Sequence, residues 1–134
     1  MNYSCEWKLN KSKSELGYDF SLAPNSVSVK HTKKTLDLKT VNVWDGQEIV
    51  RESSFTLDGK ENENIGFGES VTKSTAVVVK ETKAIKIVTN GSSENVGDWT
   101  STQIISIKDG NLVIQFEAAS DMGGIAETYI FDKQ

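Results

Sequence analysis

The run from Trp99 to Phe116 constrains the fold more than any other part of the chain. Two arms rich in β-branched residues meet at Lys108-Asp109-Gly110-Asn111. Asp-Gly is the dipeptide that best accepts the positive φ angles of a tight type I′ hairpin turn. On the second arm Leu112, Ile114 and Phe116 fall on one face, and Val113, Gln115 and Glu117 on the other. That is the period of two expected of a half-buried strand. The first arm has one lane of Trp99, Ser101, Gln103, Ile105 and Ile107, and another of Thr100, Thr102, Ile104 and Ser106. Whichever lane faces inward carries hydroxyl or amide groups with it. Each such group costs roughly 1–3 kcal/mol if buried without a partner. A wet or ligand-filled interior removes that cost, as does a position near a solvent-reached end.

The same grammar recurs along the chain. Cys5, Trp7 and Leu9 alternate with Glu6 and Lys8 and predict an opening strand with one apolar face. Lys11 to Leu16 reads as a polar loop or a single helical turn. Tyr18, Phe20 and Leu22 alternate again, up to turn chemistry at Pro24-Asn25. Val27, Val29 and His31 carry the next strand. Leu36 and Leu38 share a phase that Val41 and Val43 do not, so a single long strand here needs a bulge or twist to switch its buried face. Asp45-Gly46 and Asp58-Gly59 are turn signals, and Ile49 to Leu57 lies between them. Glu61 to Ser70 lacks a strand pattern. Strands follow at Val71 to Lys80 and Ala84 to Thr89, after which Asn90-Gly91 opens a loop to Asp98. A last strand covers Ile125 to Asp132. Roughly eight to ten strands with short turns and little helix predict an all-β, antiparallel up-and-down meander barrel. Closure removes the exposed edges of an open sheet.

A chain of 134 residues fits one domain spanning 1–134. A formal charge of −4 argues against a nucleic-acid surface, and no apolar stretch is long enough to insert in a membrane. A single cysteine excludes an intrachain disulfide framework and a cysteine-rich zinc site. Met1 is followed at once by the polar, charged run Asn2 to Ser14, which is not the pattern expected of a secretory signal. The expected compartment is periplasmic or extracellular if a leader has been removed, and cytoplasmic otherwise.

Three segments carry a family resemblance. Cys5-Glu6-Trp7-Lys8-Leu9-Asn10 resembles the first strand of bacterial lipocalin-like domains, small calycin-type barrels that often begin Gly-x-Trp-Lys-Leu-Asn. Thr56-Leu57-Asp58-Gly59-Lys60-Glu61 resembles their central turn. Gly97-Asp98-Trp99, the Asp109-Gly110 hairpin and Tyr129 to Lys133 are similar to the last strands of lipocalins and fatty-acid-binding proteins. Cys5 replaces the usual glycine, and no helix-turn-helix lid of the fatty-acid-binding type is evident. The resemblance implies a meander barrel with an internal cavity. It also casts Trp7 as the plug at the closed end.

Residues with chemical potential are few. His31, the only histidine, shares a phase with Val27 and Val29 and reads as structural rather than half of a catalytic pair. Cys5 reads as a small buried hydrophobe. No metal-ligand spacing and no phosphate-cradling glycine loop is present, so neither metal nor cofactor is expected. Arg51, the only arginine, is in phase with Phe55. It either grips a ligand carboxylate, stacks on an aromatic side chain, or lies exposed on its strand. Trp44 and Trp99 sit near predicted barrel ends, where they either rim a pocket or pack in the core. Phe67, between Gly66 and Gly68, belongs to a segment that either lids the opening, packs on the wall, or forms a subunit contact.

The candidate ligand-binding set is therefore Arg51, Trp44, Phe55, Phe67, Trp99, Gln103 and Tyr129. The leading expectation is a binder of a small apolar or amphipathic molecule, monomeric or weakly homo-oligomeric. One alternative is an isomerase or cyclase that works by pocket shape, with Arg51, Tyr18 or Tyr129 and a carboxylate. The other is a structural module with a filled barrel.

If Trp7 points inward with Cys5 and Leu9, Trp7→Ala lowers unfolding free energy by about 3–5 kcal/mol in urea titration. A loss below about 1 kcal/mol, as surface changes give, would place this face in solvent.

Overall fold

The computed structural model describes residues 5–15, 24–44, 46–65, 71–79, 81–93, 97–120 and 123–134. Ten strands form in chain order: β1 (Cys5–Leu9), β2 (Ser26–His31), β3 (Thr35–Trp44), β4 (Gln47–Thr56) and β5 (Asn62–Ile65), then β6 (Val71–Val78), β7 (Ile85–Ser93), β8 (Gly97–Lys108), β9 (Asn111–Ser120) and β10 (Gly123–Lys133). They make one antiparallel sheet in the order β4-β3-β2-β1-β10-β9-β8-β7-β6-β5. Every sequence neighbour is a spatial neighbour, and the last strand returns to the first through Trp7 opposite Lys133 and Leu9 opposite Phe131. β4 lies beside β5 and β6, so the sheet curls into a nearly closed barrel. The expected all-β meander barrel is the observed fold, with no helix among the described residues.

Turn chemistry drives the meander. Asp109 and Gly110 both have positive φ, 54° and 82°, as a type I′ turn requires, and Lys108 pairs with Asn111 across it. At Asp58-Gly59 the aspartate carboxylate accepts from the Lys60 amide at 3.0 Å and the Thr56 hydroxyl at 2.9 Å. These bonds favour the charged form and hold Asp58 below the usual carboxylate range.

The cross-strand register identifies the inward lane of each strand. Leu36 faces Phe55, Val27 faces Trp7, Tyr129 faces Ile114, Ile114 faces Ile105, and Ile105 faces Ile85. These residues, with Val29, Leu38, Ala76, Ile87, Leu112 and Phe131, form the apolar core. Trp7 is buried in it, with Cys5 and Leu9 packed alongside. Burial of this lane supplies roughly 25 cal/mol for each Å² of apolar surface withdrawn from water.

Three local readings need correction. β3 runs through Thr40 and Asn42 in unbroken register against β4, so its buried face never switches. Val43 is instead an exposed valine near the hairpin tip, with Val50 likewise exposed on β4. Asn90-Gly91 does not end β7, which continues to Ser93. Gly91 pairs with Trp99, whose indole lies over the glycine so closely that a Cβ there would overlap the ring. The glycine is a packing requirement inside a strand. Finally, Asn62–Ile65 is a strand, although Glu61 to Ser70 carries no apolar alternation. Residues 66–70 lie outside the described part, and so does the expected strand at Tyr18 to Leu22.

β5 explains how the barrel shuts. Between β4 and β5 there is no backbone ladder. The Asn64 side chain takes its place: its oxygen accepts from the Ser54 amide at 3.0 Å, and its nitrogen donates to the Ser54 carbonyl at 3.2 Å. Two residues away, the Asn62 oxygen accepts from the Thr56 amide at 3.3 Å, and its nitrogen donates to the Lys60 carbonyl at 3.1 Å. A carboxamide presents one acceptor and two donors, the same groups a neighbouring peptide would offer.

Two outcomes test this packing. Asn64→Ala lowers stability by about 1–2 kcal/mol and speeds hydrogen exchange of the Ser54 amide, while amides paired between β3 and β4 stay protected. Asn64→Asp retains the acceptor and restores part of the Ser54 protection; unchanged Ser54 exchange in Asn64→Ala would remove the seam from the account. Gly91→Ala costs about 1–3 kcal/mol through overpacking against Trp99. In a Trp99→Ala background that cost falls to a few tenths of a kcal/mol. Equal losses in both backgrounds would assign the effect to the backbone.

Candidate ligand-binding site

β8 settles which lane faces inward: it is Trp99, Ser101, Gln103, Ile105 and Ile107. Ile105 is in the core, and Ile107 packs against it. Moving along β8 from Ile105 to Trp99, the inner wall changes character. One row across the strands runs Ala76, Ile87, Gln103, Phe116 and Glu127. The next runs Asn62, Ser74, Thr89, Ser101, Ala118 and Ile125. Thr72, Ser74, Ser101 and Glu127 are all buried.

Much of this polarity is internally satisfied. The Ser74 and Thr89 hydroxyls share a hydrogen bond of 2.8 Å, and Thr72 donates to the Asn64 carbonyl at 3.1 Å. Glu127 and Tyr129 form the other buried pair. The Tyr129 hydroxyl donates to Glu127 Oε1 at 2.9 Å. Burial disfavours the phenolate and raises the Tyr129 pKa well above the ordinary phenol range, and the hydrogen bond and negative charge of Glu127 raise it further. Tyr129 therefore remains a neutral donor throughout the physiological range. Its ring stacks on Phe116 with centroids 5.9 Å apart and planes 22° from parallel.

The expected site residues fall on two walls. Gln103, Tyr129 and Trp99 belong to β8 and β10, and all three face inward; Tyr129 is buried, while the other two are half-buried. Arg51 and Phe55 belong to the inward lane of β4. Phe55 packs in the core opposite Leu36. Arg51 stands opposite Thr40, half-buried, and partial burial lowers its pKa. In the strand order β9 lies five places from β4, which in a ring of ten is the opposite wall. Trp44 ends β3, paired with Gln47 at the hairpin. Phe67 lies outside the described residues. His31, half-buried at the end of β2 opposite Leu36, has its pKa lowered chiefly by burial.

Two adjoining hollows indent the outer face of β8, β9 and β10. One, of about 240 Å³, is bordered by Glu15, Thr102, Ile104, Gln115 and Thr128 among others. The second, of about 460 Å³, shares Thr102, Glu117 and Ala126 with it. None of the expected site residues borders either hollow. Glu15 reaches this face because Glu15 and Thr128 exchange backbone hydrogen bonds of 2.8 and 3.0 Å after the turn at Asn10. Among the described residues no group of three or more histidines, cysteines or carboxylates is placed to hold a metal ion, and no helix is long and apolar enough to cross a membrane.

Glu127 is the functional candidate that sequence reasoning missed as an individual residue. Its strand pattern, Ile125, Glu127, Tyr129, Phe131, puts one carboxylate in an otherwise apolar lane. That interruption was the available signal.

No family model matches the chain, and no curated protein matches it in sequence. Among solved structures it is similar to zebrafish ileal bile acid-binding protein, crystallised with cholic acid. The two share 15% sequence identity over 98% of each chain, with a TM-score of 0.66. At that identity the likeness establishes architecture, and it agrees with the ten-strand meander and its nearly closed ring. The fold of this chain is a ten-stranded antiparallel meander β-barrel, similar in architecture to that of the bile acid-binding protein.

Proposed function

We propose that the protein binds a small amphipathic molecule inside its barrel. The observation that carries this reading is the change along the inner wall, from a sealed apolar core at Ile85, Ile105 and Phe131 to a polar belt at Ser74, Thr89, Ser101, Gln103 and Glu127. Ser74–Thr89 and Glu127–Tyr129 satisfy part of the belt among themselves, and Ser101 and Gln103 add further polar groups to the same inner wall. An amphipathic molecule matches it, its apolar part against Phe116 and the core and its polar part along the belt. The bile-acid-binding neighbour supports a ligand of this general kind. Arg51, Phe55, Trp99, Gln103 and Tyr129 contribute from the two walls, and Trp44 and Phe67 complete the proposed set. The protein acts as a monomer or a weak homo-oligomer and as a single domain.

Glu127 and Tyr129 are also the kind of pair that a small isomerase or cyclase would use. Chemical change in a bound molecule, in place of its retention, would favour that second reading.

Native mass spectrometry of protein from its natural host tests the proposal: a retained small molecule is expected. Gln103→Trp, which projects a large ring from the inner wall, abolishes retention while leaving the circular dichroism spectrum unchanged. Absence of any retained molecule, together with no uptake of anilinonaphthalene sulfonate by the purified protein, would indicate a filled barrel.

A further inference from the structure

Independently of the interior, we propose a second site, on the outer wall: the adjoining hollows over β8, β9 and β10 take a small organic cation. The ligand is a protonated amine on a flat apolar body, with Glu117 as its charge partner. The inner lanes of these strands hold Gln103, Phe116 and Glu127, so by the period of two Thr102, Glu117 and Ala126 point outward. Glu117 is exposed, and it stands opposite Thr102 on one side and Ala126 on the other. Along its own strand the same face carries Gln115 and Ala119. Ile104 and Thr128 flank Gln115, and Thr100 and Gly124 flank Ala119. None of these neighbours is charged.

The other walls are arranged differently. Outward charges there stand opposite charges of the other sign: Lys30 faces Asp37, Lys39 faces Glu52, and Lys8 faces Asp132. Cross-strand opposition of this kind stabilises a sheet. Glu117 is a single charge on an otherwise uncharged patch, and the hollows lie on that patch.

The hollows follow from short side chains. Ala119, Gly124 and Ala126 leave the surface close to backbone level, and the larger hollow, about 460 Å³, lies over them. The smaller, about 240 Å³, adds Ile104 as an apolar side and Glu15 as a second carboxylate. Glu15 is fixed there by its backbone exchange with Thr128. Glu117 borders both hollows, and among the described residues no lysine, arginine or histidine borders either. Lys86, opposite Ile104 on β7, stands two strands away from Glu117. The larger volume is on the scale of small-ligand sites. A flat ring covers the short floor, and its ammonium group donates charge-assisted hydrogen bonds to Glu117. An anion meets charge of its own sign, and a neutral molecule gains only the apolar contact. A second copy docked about a two-fold axis brings Glu117 towards the partner's Glu117, which makes it the poorer occupant.

Three one-ring probes test the site: benzylamine, benzyl alcohol and benzoate, titrated at neutral pH and low ionic strength into protein with carbon-13-labelled methyl groups. Benzylamine is expected to shift the outward methyls of Ile104, Ala119 and Ala126 and to leave those of Ile87 and Ile105 in place. It binds about three- to five-fold tighter than benzyl alcohol, the margin of a largely exposed charge pair, with benzoate weakest. Added salt erodes that margin. Glu117→Gln keeps the size, leaves the melting temperature unchanged and brings benzylamine down to the affinity of benzyl alcohol. Ala126→Leu, also on the exposed face, fills ground common to the two hollows and weakens benzylamine and benzyl alcohol together. Equal affinity for benzylamine and benzoate, or a preference for benzylamine that survives Glu117→Gln, would overturn the inference and leave Glu117 the role of keeping this face wetted. Shifts confined to Ile87 and Ile105 would overturn it by assigning the amine to the interior. A dimer in sedimentation that Ala126→Leu dissociates would overturn it in favour of a second copy. A tri-lysine peptide binding tighter than benzylamine would do so in favour of a basic protein segment. Binding by none of the probes would equally overturn it, and would leave the interior-binding reading untouched.

Discussion

A ring of strands has to satisfy the edge of every member, and nine of the ten junctions here do so with backbone ladders. The tenth, between β4 and β5, is covered by two carboxamides, and just beyond β4 the Gly59 amide donates to the Ala76 carbonyl of β6 at 3.1 Å. Asn62 and Asn64 are spaced by two because only that spacing sends both side chains to the same face of a strand. They reach amides at Thr56 and Ser54, which are also two residues apart, because the facing edge has the same period. The enclosure of the interior is completed where this edge is covered. Unpaired amides along β4 would otherwise invite pairing with another chain.

The fold was legible because period-two alternation and Asp-Gly turns are local signals, and a meander assembles neighbours in sequence. Cys5, Trp7 and Leu9 are apolar on one face and charged on the other, which leaves little freedom of register. What misled was also physical. Val41 and Val43 suggested a switched buried face because valine is apolar, yet Val43 is exposed near the hairpin tip and Val41 is only half-buried on the outer lane. Gly91 read as a turn because the sequence does not reveal the indole of Trp99 above it. Asn62 and Asn64 read as loop because their contribution is hydrogen bonding to an edge distant from their own ladder.

The candidate site was legible only in outline. Hydroxyls and amides in either lane of β8 required a polar inner wall, and the register selected Ser101 and Gln103. Glu127 was harder to single out, since a lone carboxylate on a terminal strand usually faces solvent. Its burial follows from its phase with Tyr129 and Phe131, which the core holds firmly.

The pairing of β1 with β10 has a consequence for how the molecule comes into being. The strand holding Trp7 forms its ladder with Lys133 and Phe131, at the far end of the described chain. Hairpins such as β8–β9 can form as soon as they leave the ribosome, but this ladder must wait for the last strand to be made. Long-range closure of this kind is the slow step in β-rich proteins. Glu127 and Tyr129 ride on that same strand. A nascent chain can therefore hold most of its hairpins well before it has an enclosed interior, which arrives only with closure.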